Sequence, residues 1–166
     1  MINENGVTLK DITSERFCIP LYQRLFAWTP KEVTKLLRDL KEHFESDRFK
    51  EKHNPYYLGM LTTIQRDGHI DLIDGQQRLT TIFLILKYLD ADNPYTLEYG
   101  TRTESCRGVS ASDFLRNINT NEYKDHRYDS IDFHHFYEAF KAISTWFEDG
   151  NHKNLRTAFH DTLLNK

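Results

Sequence analysis

Between Asp67 and Leu86 the chain changes its periodicity, and that change constrains the fold more than any other stretch. Asp67-Gly68 is a strong two-residue hairpin signal, so His69–Ile73 is expected to return antiparallel to the segment before it. Apolar residues then fall at Leu79, Ile82, Phe83 and Leu86, the spacing of one helix face. A hairpin, a strand and a helix are thus specified in succession, and the strand meets the helix at Asp74-Gly75-Gln76-Gln77-Arg78.

The rest of the chain reads as alternating short strands and longer helices. Phe17-Cys18-Ile19 is a short strand closed by Pro20, and Tyr57–Ile64 is expected to be the partner strand of the hairpin. Thr29-Pro30-Lys31-Glu32 combines a capping box with proline at the first helical position. The helix it opens has one apolar face, made by Val33, Leu36, Leu37, Leu40 and Phe44. Thr96–Tyr99 is a further short strand, and Ser110 or Ser112 caps a helix with Phe114, Leu115 and Ile118. A loop is expected over 119–128, a long amphipathic helix from Ile131 to Phe147 ending near Gly150, and a last helix over Leu155–Leu164. The expected class is α+β: a small sheet with flanking helices over 1–92, then a mainly helical extension of the same domain over 93–166.

Composition narrows the function classes. The formal charge is −3, so no global basic field points to nucleic acid. The chain has only two cysteines, Cys18 and Cys106, in no CxxC, and its eight histidines form no HExxH. Neither a zinc site nor a disulfide framework is indicated, and the chain reads as a reduced, cytoplasmic protein. No signal peptide and no long apolar run suggest a membrane. The aromatic share, 13%, is large enough to supply binding surface as well as core.

The candidate site is the strand-to-helix junction. Free N–H groups and the positive end of the helix dipole lie at a helix N-terminus, which suits a phosphate. Gly75 lets an anion approach closely, and Arg78 adds a fork of charged donors. The alternative is a plain turn, with Asp74 as cap and Arg78 paired to a carboxylate. A second basic element, Tyr22-Gln23-Arg24, favours the phosphate reading, because two arginines can grip one phosphate. Trp28 is assigned to packing under the following helix.

The segments Ile19–Trp28, Tyr57-Leu58-Gly59 and Ile73–Thr81 together resemble the N-terminal domain of the GmrSD type IV restriction family, most clearly over about residues 8–90. Arg102, Phe114-Leu115 and Trp146-Phe147 extend the likeness. The resemblance implies a ParB/sulfiredoxin-like fold in which Tyr22, Gln23 and Arg24 form one wall around a nucleotide's phosphates. Asp74, Gly75, Gln76, Gln77 and Arg78 form the other. It further implies binding and hydrolysis of an NTP with Mg2+ within a system that cleaves modified foreign DNA through a downstream nuclease domain. Asp74, Gln77 and Arg78 are the expected catalytic residues; Tyr22, Gln23, Arg24, Gly75, Gln76 and Arg78 bind phosphate. Asp74 or Asp71 supplies a carboxylate to the magnesium, and strand alternation favours Asp74, which binds it through water or fixes Arg78; Gln76 or Gln77 orients the attacking water or a phosphate oxygen. No nuclease motif lies in these residues, so the chain itself is not expected to cut DNA, and it reads as truncated at its C-terminus. A non-catalytic module that senses DNA modification or docks a protein is the alternative. A sulfiredoxin-like reductase needs a cysteine where Gln76 and Gln77 stand.

Overall fold

The computed structural model describes residues 6–46, 55–90, 95–100, 108–118 and 125–165. Arg102, Cys106 and the expected loop over 119–124 lie outside these residues. Four strands form one mixed sheet: β1 (Arg16–Ile19), β2 (Thr62–Arg66), β3 (His69–Asp74) and β4 (Thr96–Tyr99), in the order β2-β3-β1-β4. β2 and β3 are the antiparallel hairpin across Asp67-Gly68, whereas β1 runs parallel to both β3 and β4. The helices are α1 (Pro30–Glu45), α2 (Gln76–Tyr88), α3 (Ala111–Asn117), α4 (Ile131–Glu148) and α5 (Leu155–Asn165), and the class is α+β. Short 3-10 turns occur at Lys10–Ile12 and at Asp125–Tyr128, the latter where a loop is expected.

Alternation along the strands sets one face of the sheet inward. Phe17 and Ile19 of β1, Leu72 of β3 and Leu97 and Tyr99 of β4 are buried, while Arg16, Cys18 and Glu98 face the other way. The aromatic residues do fill a core. Phe114 stacks on Phe133 at 4.5 Å, and Phe136 meets both Phe26 and Tyr99 at 5.3 Å. α4 packs on α1 and α2, so the second half of the chain delivers both an edge strand and a core helix to the first.

Local chemistry explains the helix starts. Thr29 and Glu32 form the expected capping box: the Thr29 N–H and hydroxyl donate to Glu32 Oε2 at 2.8 and 2.5 Å. Ser110 caps α3, leaving the Ser112 hydroxyl to accept the Tyr99 N–H of β4. Two expectations need correction. β2 begins at Thr62, not Tyr57, because Gly59 turns the chain with φ of +100° and the neighbouring carbonyls bond elsewhere. α2 is buried all round rather than on one face, with Gln76, Gln77 and every residue from Leu79 to Leu86 inside.

Candidate phosphate site

An all-round buried helix that starts with two glutamines has to satisfy two buried amides. The backbone of the segment between β1 and α1 does so. Gln76 Nε2 donates to the Arg24 carbonyl at 2.8 Å, and Gln77 Nε2 donates to the Leu25 carbonyl at 3.0 Å. Gln77 Oε1 in turn accepts the N–H groups of Ala27 and Trp28 at 2.8 and 3.1 Å. Gln23 reaches back from this segment and donates to the Ile73 carbonyl at 2.8 Å, near the end of β3. Phe26, fully buried on Phe136, anchors the middle of the segment. The two motifs therefore clasp each other's backbone, which holds residues 23–28 beside the N-terminus of α2.

Arg78 holds a second segment. It donates to the Leu58 carbonyl from Nη1 at 3.1 Å and to the Met60 carbonyl from Nη2 at 2.7 Å. Gly59 allows this, since a Cβ there would stand 1.8 Å from Arg78 Nη1. Two of five guanidinium donors are so used, and the ion pair with Asp74 is long at 3.9 Å. Behind α2, the Tyr99 hydroxyl meets the Thr80 hydroxyl at 2.7 Å. Burial drives the Tyr99 pKa well above the ordinary tyrosine range, so it stays a neutral donor.

Between these segments lies an open cleft of about 300 Å³ at the carboxyl ends of the adjacent parallel strands β1 and β3. Open α/β sheets bind ligands at the corresponding place. Its lining brings together Gln23, Arg24, Asp74, Gly75, Gln76, Gln77 and Arg78, with Trp28 beside them. Gly75 is the N-cap of α2, in a left-handed conformation (φ 94°), and supplies no side-chain cap. The first turn of α2 carries no acidic residue either, so no side-chain cap answers the N–H groups at this end of the helix, and Asp74 brings a carboxylate to the cleft lining. Arg24 is exposed, and its guanidinium has no hydrogen bond among the described residues.

Several residues have different surroundings from those expected. Gln77, expected to orient a water, has its carboxamide bound to the backbone of Leu25, Ala27 and Trp28. Gln76 is likewise bound to the Arg24 carbonyl. Tyr22 is 70% exposed and outside the cleft lining. Trp28, assigned to packing, packs against the core and also lines the cleft. Buried amides at the head of a helix were the available signal for a clasp, but only a helix buried on every side makes that signal decisive.

The family model of the GmrSD restriction endonuclease N-terminal domain matches residues 6–164. The chain belongs to this family. Its context is therefore that of a restriction enzyme, and the GmrSD domain extends over both the cleft-bearing first half and the helical second half. Comparison with curated proteins and with solved structures gave no match. Among the described residues, no helix of this GmrSD domain is long and apolar enough to cross a membrane.

Proposed function

We propose that the cleft binds a nucleoside triphosphate through its phosphates and hydrolyses it, as the nucleotide-dependent part of a system that restricts modified DNA. One observation carries this reading: Arg24, Arg78 and an uncapped helix N-terminus converge on a single cleft. The N–H groups of the first turn of α2 cradle one phosphate, and Gly75 leaves room for it. Arg24 and the remaining donors of Arg78 hold the next and balance the charge that builds as the terminal phosphoryl group leaves. Asp74, with its side chain 74% exposed at the mouth of the cleft, fits a magnesium ion that keeps most of its waters and needs only a carboxylate or two. Gln76 and Gln77 act as positioning residues in this scheme. They fix the wall that carries Arg24.

Thermal shift tests the proposal. ATP, GTP, CTP and UTP are each added with magnesium to wild type and to Arg24→Ala, a variant that removes no side-chain hydrogen bond or ion pair among the described residues. A ligand at a hundred times its Kd stabilises a protein by about 2.7 kcal/mol, an easily read rise in melting temperature. The expected result is a shift for at least one nucleotide that Arg24→Ala reduces, followed by phosphate release. A flat response to all four would overturn it.

A second reading has an observation of its own. Leu21, Tyr22, Tyr57 and Met60, on the two segments that flank the cleft, are 70–77% exposed. Exposed aromatic and apolar residues beside a basic cleft suit base stacking or a protein partner, as in a sensing module without turnover. DNA binding through phosphates weakens steeply with salt, whereas a magnesium nucleotide held in a cleft does so much less.

A further inference from the structure

The outward face of the sheet carries a second cluster, separate from the cleft. β1 and β3 lie side by side with Cys18 directly opposite Asp71, and His69 stands two residues before Asp71 on the same strand face. Phe17, Ile19 and Leu72 occupy the buried face of these strands, so Cys18, His69 and Asp71 share the outer one. Their ligand atoms all lie within 4.8 Å of one another, and each residue is half-buried. His69 Nε2 is 3.2 Å from Asp71 Oδ1, while Arg66 Nε occupies the other carboxylate oxygen at 2.9 Å.

We infer that Cys18, His69 and Asp71 form a binding site for a zinc-class divalent metal that ties β1 to β3. Thiolate, imidazole and carboxylate bind zinc at about 2.0–2.3 Å, which sets tetrahedral ligand atoms roughly 3.5 Å apart. The histidine and aspartate already meet that spacing at 3.2 Å, and the two edges to Cys18 Sγ, within 4.8 Å, need only a small side-chain adjustment to reach it. On binding, the Cys18 proton leaves to solvent and the thiolate ligates. A soft thiolate beside an imidazole selects zinc over magnesium or calcium. Arg66, bonded to Asp71 Oδ2, becomes the outer partner that orients the ligating carboxylate. Glu98, the neighbour of Cys18 across β4, is held by Arg16 in a two-pronged ion pair, so water takes the fourth position. The site sits just upstream of both walls, because β1 runs on to Gln23 and Arg24 and β3 ends at Asp74. A metal there would brace the strands that deliver the cleft.

The sequence hid this site because its ligands come from distant strands and match no spaced motif. The test uses the chain stripped of metal with a chelator and titrated with Co2+, whose thiolate charge-transfer absorption reports Cys18 directly. One equivalent with that absorption is expected in wild type and in Cys106→Ser, and none in Cys18→Ser. Zinc affinity should fall at least tenfold in Cys18→Ser and in His69→Gln, the latter keeping a polar side chain at a position 34% exposed. Retention of the absorption in Cys18→Ser, or equal zinc affinity in wild type and both variants, would overturn the proposal.

Discussion

Residues 23–28 and residues 58–61 both lack regular structure, and the first turn of α2 holds both, yet by different means. The first segment is clasped by Gln76 and Gln77, only 4% and 5% exposed, and is pinned by Phe26 in the core. The second hangs on Arg78 alone among the α2 side chains, and its Met60, like the preceding Tyr57, is largely exposed. A wall fixed by buried amides is costly to move, because each released donor or acceptor is left without water. A wall tied to α2 by one charged and partly exposed side chain, with Leu58 packed against the core, shifts more easily. The contrast assigns the first wall to placing Arg24, and couples the second to whatever Arg78 binds.

The largest effect is expected from Gln77→Ala. It strips partners from the Leu25 carbonyl and from the Ala27 and Trp28 N–H groups, for a loss of about 3 kcal/mol. In a domain of this size that is a melting-temperature drop of roughly 6–12 °C. A drop no larger than that of a surface substitution would break the claim that the first wall is rigid. Gly59→Ala comes next, at about 2 kcal/mol, from a side chain forced into φ of +100° and against Arg78 Nη1. Differential scanning calorimetry should show the loss, and any nucleotide-induced shift should vanish with it.

Arg78→Ala sharpens the comparison further. Its bonds to Leu58 and Met60 are only partly shielded, so about 1 kcal/mol of stability should go, while hydrogen exchange at 58–61 accelerates and exchange at 25–28 does not. Equal acceleration in both segments would contradict their independence. Arg24→Ala should leave stability within roughly 0.5 kcal/mol and act on ligand binding alone.

The smallest effect is electrostatic, at the junction of the first wall with α1. Hydrogen bonds from the Thr29 hydroxyl and the Thr29 N–H hold Glu32 below the ordinary glutamate range. A lowered folded-state pKa means stability that is present above the unfolded value and lost as pH falls through the folded one. Wild type should therefore exceed Glu32→Ala at neutral pH, by a margin that closes in acid. Chemical denaturation at a series of pH values reads it, and a margin independent of pH would refute the assignment.

Much of this architecture was legible in the residues. Thr29-Pro30-Lys31-Glu32 announced α1, Asp67-Gly68 announced the hairpin, and the Gln-Arg and Asp-Gly-Gln-Gln-Arg elements marked the cleft lining apart from Trp28. The early start assigned to β2 failed because Gly59 and the reach of Arg78 are tertiary facts, invisible in a local apolar run. The residues alone suggest a chemical role for the two amides, and the structure adds that both bond to backbone. That distinction depends on α2 being buried on the side that Thr80, Thr81, Leu84 and Ile85 occupy, which periodicity did not reveal.

Hydrogen–deuterium exchange with and without a magnesium nucleotide tests the central claim most directly. The account predicts new protection at the amides of 76–78, smaller protection at 58–61, and little change at 25–28, which Gln77 already holds. A nucleotide that raises the melting temperature yet leaves the amides of 76–78 exchanging as before would contradict it.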